Sequence, residues 1–271
     1  MKSLFLILSL SFLSIGGHAQ EKIWLNKKSN WTDEANAKYY AVVSKDRKLT
    51  KVETFTVGGL KKEICHYSKY GKKPNERIKE GVRTVFYANG KDSLIANYKE
   101  NKLHGKYSVY YPDVNISIST NYKNSKINGK LLQYYPDGKL KREETYKNSE
   151  CTKGRLLSED GTEIDHIPYL VEPFFPGGMQ QLLQLVTRAI KYPEEALEYR
   201  IDGSVLIKFV VDKDGTMIEP KVFRSDSEVL SKEALRAFSA IAAIYKWTPG
   251  FIDGKPVRVL FTAPITFVLP M

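Results

Sequence analysis

Cysteine and histidine are scarce, with two of the first and four of the second in 271 residues. The histidines, His18, His66, His104 and His166, are scattered, and no His-x-x-x-His or Cys-x-x-Cys spacing gathers ligands for a metal. There is no phosphate-cradling glycine loop and no Gly-x-Ser-x-Gly elbow. His66 stands beside Cys65, but neighbours on a strand point to opposite faces, so the two do not form a nucleophile pair. Asp212-x-Asp214-Gly215 opens like a calcium loop. Its glycine comes too early, however, Thr216 takes the third oxygen position, and no closing glutamate follows, so it reads as a hairpin turn. The expectation is a protein that is not an enzyme, with no catalytic residue, no metal and no cofactor.

Long apolar runs are missing too. A membrane-spanning helix needs about 18 to 20 apolar residues. The stretch Leu4 to Ile15 is shorter and is closed by Gly16 and Gly17. One lysine before it and Gly17-His18-Ala19 after it give the layout of a signal peptide over residues 1–19, with cleavage near Ala19 and Gln20. No cysteine follows the run, which argues against a lipid anchor. The mature chain is expected in the periplasm, and an uncleaved anchor is the alternative.

Acidic residues are too few in one part only. From Glu21 to Asp160 there are 29 Lys and Arg against 17 Asp and Glu, whereas the remainder to Met271 has 12 against 14. An exported protein does not normally meet nucleic acid, so acidic envelope lipid or polysaccharide are the partners this basic part suggests. A lysine-rich surface that keeps an exposed sheet soluble explains the same excess.

The basic part repeats. Gly81, Gly105 and Gly129 are 24 residues apart, Gly154 begins a degenerate fourth copy, and Tyr98-Lys99, Tyr122-Lys123 and Tyr146-Lys147 keep the same step. Each unit holds two alternating runs around a turn such as Pro136-Asp137-Gly138-Lys139, which is hairpin chemistry. The pairs Phe86-Tyr87, Tyr110-Tyr111 and Tyr134-Tyr135 line up from unit to unit. Single hairpins cannot bury themselves, but a row of them can. Glu21 to Arg47 is too irregular to place. Cys151 falls at the position of Leu103 and Ile127 and reads as a small core residue. In a linear stack Cys65 lies roughly 30 Å away, so both thiols are expected to be free. These aromatic, glycine-led units resemble MORN-type repeats over about residues 50 to 162. The second unit departs from the pattern, with Asp113-Val114 where a glycine turn is expected. The resemblance implies a structural and binding module.

After a connection over 163–173, Met179, Leu182, Leu183, Val186, Ala189 and Ile190 follow helical spacing. Val205 to Val211 and Met217 to Arg224 make a hairpin, Ser227 to Tyr245 a second helix, and Pro256 to Leu269 one long strand with Pro264 inside it. A proline there places the strand at a sheet edge or at a bulge. The order suits a three-stranded antiparallel sheet with two helices on one face, so the whole chain is α+β: a hairpin stack over 20–162 and an α+β domain over 174–271.

Tyr192-Pro193-Glu194-Glu195-Ala196, Gly203-x-Val205, Phe209-x-Val211-Asp212-x-Asp214-Gly215, Trp247-x-Pro249-Gly250, Gly254-Lys255-Pro256-Val257 and Pro264-Ile265-x-Phe267-x-Leu269 are similar to the TonB carboxy-terminal domain in its Bacteroidetes form. The resemblance implies that the domain docks an extended segment of an outer-membrane receptor or periplasmic protein along its last strand. Carried onto this sequence, the pairing residues are Val257, Arg258, Val259, Leu260, Phe261, Thr262 and Ala263. Energy-coupling members also have a membrane anchor and a long Pro- and Lys-rich spacer, and the sequence shows neither pattern. The expectation is therefore an exported binding protein of the envelope, with a role in TonB-dependent transport as what the resemblance implies. The alternative is a structural envelope protein whose repeats hold lipid or polysaccharide and whose TonB-like domain forms a homodimer. Energy transduction requires the first segment to be retained.

Overall fold

The computed structural model describes residues 12–13 and 20–269. The expected signal peptide therefore lies almost wholly outside the described residues. The chain divides into two compact units that part between His166 and Ile167.

The first unit is an antiparallel meander. It begins with β1 (Phe12–Leu13), β2 (Gln20–Leu25), β3 (Tyr39–Asp46), β4 (Leu49–Thr56) and β5 (Lys61–Lys69). A single 3-10 turn at Pro74–Glu76 precedes β6 (Ile78–Phe86), β7 (Asp92–Lys99), β8 (Lys102–Tyr110) and β9 (Ile116–Lys123). The last strands are β10 (Lys126–Ile127), β11 (Gly129–Tyr134), β12 (Leu140–Lys147), β13 (Glu150–Leu157) and β14 (Glu163–Ile164). Each pairs with its neighbour in sequence, and β10 and β11 share β9. The segment that the sequence left unplaced supplies β2 and β3, whose Ile23, Leu25 and Ala41 join Val52, Cys65 and Tyr67 in a buried cluster.

Two kinds of turn alternate along the meander. After each Tyr-Lys pair the chain reverses through two residues at positive φ: Glu100-Asn101, Asn124-Ser125 and Asn148-Ser149. That is the tight hairpin whose twist matches the flanking strands, and Asn and Ser tolerate it. At the opposite end the longer turns close on Gly90, Val114 and Gly138, all near φ +80° to +85°. Here the second residue of each aromatic pair, a tyrosine in all three, acts across units. The hydroxyls of Tyr87, Tyr111 and Tyr135 donate to the carbonyl oxygens of Tyr110, Tyr134 and Leu157 at 2.6, 2.8 and 2.8 Å. Gly81, Gly105 and Gly129 share φ values of +88° to +99°, which explains why that column is glycine.

Gly154 departs from the expected fourth copy. It does not take positive φ and stands opposite Glu144, as Tyr107 stands opposite Ala96 two units earlier. It thus occupies a side-chain position of the repeat, not the glycine column. Cys151 pairs with Tyr146 in the register expected, but it is half-buried instead of lying in the core. Both cysteines are free.

The second unit opens with β15 (Leu170–Val171), α1 (Gly178–Ala189) and α2 (Glu194–Glu198). It continues with β16 (Gly203–Val211), β17 (Met217–Arg224), α3 (Glu228–Ile244), β18 (Gly250–Ile252), β19 (Lys255–Val257) and β20 (Val259–Phe267). The main sheet has the order β17-β16-β20, and β15-β18-β19 form a smaller one. Val205, Ile207, Phe209 and Val211 of β16 and Ala263, Ile265 and Phe267 of β20 bury one face against α1 and α3. From the helices come Leu182, Val186, Leu230, Ala234, Ala237 and Phe238. Each fully buried large side chain contributes about 1.5 to 3 kcal/mol. Ser227 caps α3 by accepting the Leu230 amide at 3.3 Å. The two expected helices, the further helical turn expected over Glu194 to Tyr199, which is α2, and the three-stranded sheet are all present.

Candidate functional site

The last strand is not continuous. Val257 belongs to β19 and pairs with Gly250, whereas Val259 begins a new ladder opposite Val211. Between them Arg258 reaches back to the β16–β17 turn, its Nε and Nη2 donating to Asp212 Oδ1 and Oδ2 at 2.8 and 3.2 Å. The chain changes sheets at this residue, which is why unbroken alternation from Pro256 to Leu269 does not give one strand. Of the seven residues expected to form a pairing edge, Val259, Leu260, Phe261, Thr262 and Ala263 lie together on β20, and Val257 and Arg258 do not.

β20 runs in unbroken register with β16 over nine pairs, Gly203–Phe267 to Val211–Val259. Among the described residues no strand pairs with its other side. The Ser204 hydroxyl donates to the Ile265 carbonyl oxygen, so odd-numbered main-chain groups of β20 face β16. In an antiparallel ladder the even-numbered groups then face outward. The outward set is Leu260, Thr262, Pro264 and Thr266, and Pro264, which has no N–H, costs the β16 ladder nothing. Their side chains stand on the solvent face, where Leu260 is 55% exposed.

β17 is the opposite edge of the same sheet, which sequence reasoning did not consider. It carries Pro220, a positive φ at Glu219, and two register shifts against β16. Such irregularities blunt an edge against added strands. β20 alone of the two edges is regular.

Behind β20 lies an aromatic cluster. Trp247 is buried, with ring centroids 4.7 Å from Phe261, 5.5 Å from Phe175 and 6.0 Å from Phe209. Its amide donates to the Gly215 carbonyl oxygen at 2.9 Å. Gly215 has φ +83°, and a Cβ there would overlap the Trp247 carbonyl oxygen. The Asp212-x-Asp214-Gly215 turn is therefore clasped to the backbone that holds Trp247 against β20. Arg258 and the Lys213 amide keep the Asp212 carboxyl below its ordinary range. The hydroxyl and amide of Thr216, with Lys246, do the same for Asp214. These carboxylates are engaged in the turn that joins β16 and β17.

Among the described residues of the first unit one set of ligand-type side chains does converge: Glu144, Cys151 and His166. Nothing in their sequence spacing signals it. Among the described residues no helix is long and apolar enough to cross a membrane.

Residues 188–269 match the family model described as Gram-negative bacterial TonB protein C-terminal, and residues 127–148 match that of a MORN repeat variant. Two solution structures of the Helicobacter pylori TonB carboxy-terminal domain are similar. One is 25% identical, with a TM-score of 0.28, covering 34% of this chain and 95% of that one. The other is 28% identical, with a TM-score of 0.27, covering 35% and 88%. No curated protein matches. The second unit is a TonB-like domain, which points to a protein of the cell envelope.

Proposed function

We propose that this chain is an exported, non-enzymatic binding protein, periplasmic after loss of residues 1–19, that takes up an extended segment of an outer-membrane or periplasmic partner along β20. The open side of β20 carries the reading: nine regular pairs on one side, outward main-chain groups at Leu260, Thr262 and Thr266 on the other, and a rigid aromatic backing. Added main-chain hydrogen bonds supply affinity, and the side chains of Leu260 and Thr262 tune which segment fits. The hairpin stack offers a second surface whose basic excess suits acidic lipid or polysaccharide.

The test is hydrogen exchange followed by mass spectrometry on the full chain, with extended peptides derived from outer-membrane receptors. Docking slows exchange in β20 and leaves β17 unchanged. Thr262→Pro, which deletes an outward donor and spares the β16 ladder, should abolish the protection. Protection that appears without peptide and grows with protein concentration favours a homodimer through the same edge. Protection elsewhere, or none, refutes the docking reading.

A further inference from the structure

Glu144, Cys151 and His166 each present one ligand atom, and these atoms all lie within 4.8 Å of one another. The three come from different places: Glu144 from the middle of β12, Cys151 from the start of β13, and His166 from the segment after β14. Two features of the chain build the cluster. The repeat places Cys151 opposite Tyr146, one alternate position along from Glu144. Gly154 stands opposite Glu144, and a Cβ there would overlap His166 Nε2, so this glycine makes the space in which the imidazole sits.

Glu144 is fixed before any ligand arrives. Its side chain is 0% exposed, and Oε1 accepts from Arg142 Nη1 at 2.6 Å and from His166 Nε2 at 2.8 Å. Its Oε2 accepts from the Tyr146 hydroxyl at 2.8 Å, and Arg142 is itself held by the Gln133 side-chain oxygen at 3.1 Å. Cys151 and His166 are partly open, the imidazole being a quarter exposed, so the cluster has one rigid ligand and two that can adjust from the solvent side. Such buried anchoring orients metal ligands.

We propose that Glu144, Cys151 and His166 form a binding site for a divalent transition ion of zinc type, with water as the fourth ligand. Thiolate, imidazole and carboxylate are the donor types zinc takes, at about 2.3 Å to sulfur and about 2.0 to 2.2 Å to nitrogen and oxygen. Seated on one ion the ligand atoms stand about 3.3 to 3.6 Å apart, so the widest separation closes by about 1 Å while the 2.8 Å contact of His166 with Glu144 opens by about 0.5 Å, and rotation of Cys151 and His166 supplies both. On binding, the Cys151 thiol gives its proton to solvent, and the imidazole proton moves from Nε2 to Nδ1 as Nε2 turns to the ion. The thiolate and the neutral imidazole are the binding forms, so zinc competes with protons for both. The bound ion fastens the segment that leaves the stack at His166 to β12 and β13.

The experiment titrates tag-free full chain, first stripped with chelator, with Zn²⁺ against a chromophoric competitor and separately with Co²⁺. The expected result is one equivalent bound and a cobalt spectrum with a thiolate charge-transfer band and the strong visible bands of a four-coordinate site. Cys151→Ser should remove the charge-transfer band, and His166→Gln should weaken zinc at least about tenfold. The surface variant His104→Gln should bind as the parent does. If a variant does not fold, zinc must slow alkylation of Cys151 in the unmodified chain. A cobalt complex without thiolate, Cys151→Ser binding like the parent, or alkylation indifferent to zinc would overturn the site and leave a hydrogen-bonded network only.

Discussion

Gly215→Ala is the most informative single perturbation. Its cost has two separable parts. An alanine at φ +83° pays the left-handed penalty of about 1 to 2 kcal/mol. The added methyl must also push the turn off the Trp247 carbonyl, breaking the 2.9 Å hydrogen bond from the Trp247 amide to Gly215. A buried amide left without its acceptor costs about a further 1 to 3 kcal/mol. Roughly 3 kcal/mol or more is expected in all. Gly254→Ala is the control in the same unit: φ is +71° and nothing lies within 4 Å of the new Cβ, so only the first part applies. Among the described residues all three α-helices belong to the second unit, so their far-ultraviolet signal in urea follows that unit. With a slope of about 1.5 kcal/mol per molar, Gly215→Ala lowers the midpoint by about 2 M and Gly254→Ala by about 1 M or less. Equal shifts for the two variants would show that the clasp on Trp247 contributes nothing.

Three further outcomes follow from the hairpin stack and the turn. Val114 is β-branched and exposed, yet sits at φ +83° where neighbouring units have glycine, so Val114→Gly should stabilise the first unit by about 1 kcal/mol in thermal unfolding. Tyr111→Phe deletes the hydroxyl bonded to the Tyr134 carbonyl oxygen and should cost about 1 kcal/mol, with hydrogen exchange rising first at Tyr134 and its neighbours. The Asp212 carboxyl is depressed below 3.8 by Arg258, so its contribution is complete above that value and disappears as pH falls through the lower folded value. Asp212→Asn should therefore lower the urea midpoint at pH 7 and converge with the parent in strong acid; a difference that persists in acid would assign the effect to something other than charge.

Much of this architecture was legible because it rests on local rules. The glycine column at 81, 105 and 129 is a backbone requirement, and the Tyr-Lys marker precedes a fixed two-residue turn, so both recur in sequence. The hydroxyl bonds between units were hidden because they join residues 22 or 23 apart, a step that does not match the repeat. Gly154 misled because it stands 25 residues after Gly129, one more than the repeat step, and a glycine that makes room for an imidazole looks like one that permits positive φ. On the pairing edge, alternation at Val257, Val259 and Phe261 survives the break at Arg258. Side-chain period reports which face a residue takes, not which strand it bonds. The Glu144, Cys151 and His166 cluster had no signature, since strand pairing and a returning segment bring the three together.

The tyrosine bonds between units have a consequence for how such a chain changes in length. Each joins one repeat to the next and none converges on a shared centre, so excising or inserting 24 residues leaves both extremities as they were. Every step moves them by two strand spacings, about 9 to 10 Å. The array is in effect a measuring rod graduated in tyrosines, whose extent can be reset in whole increments without redesign of its ends.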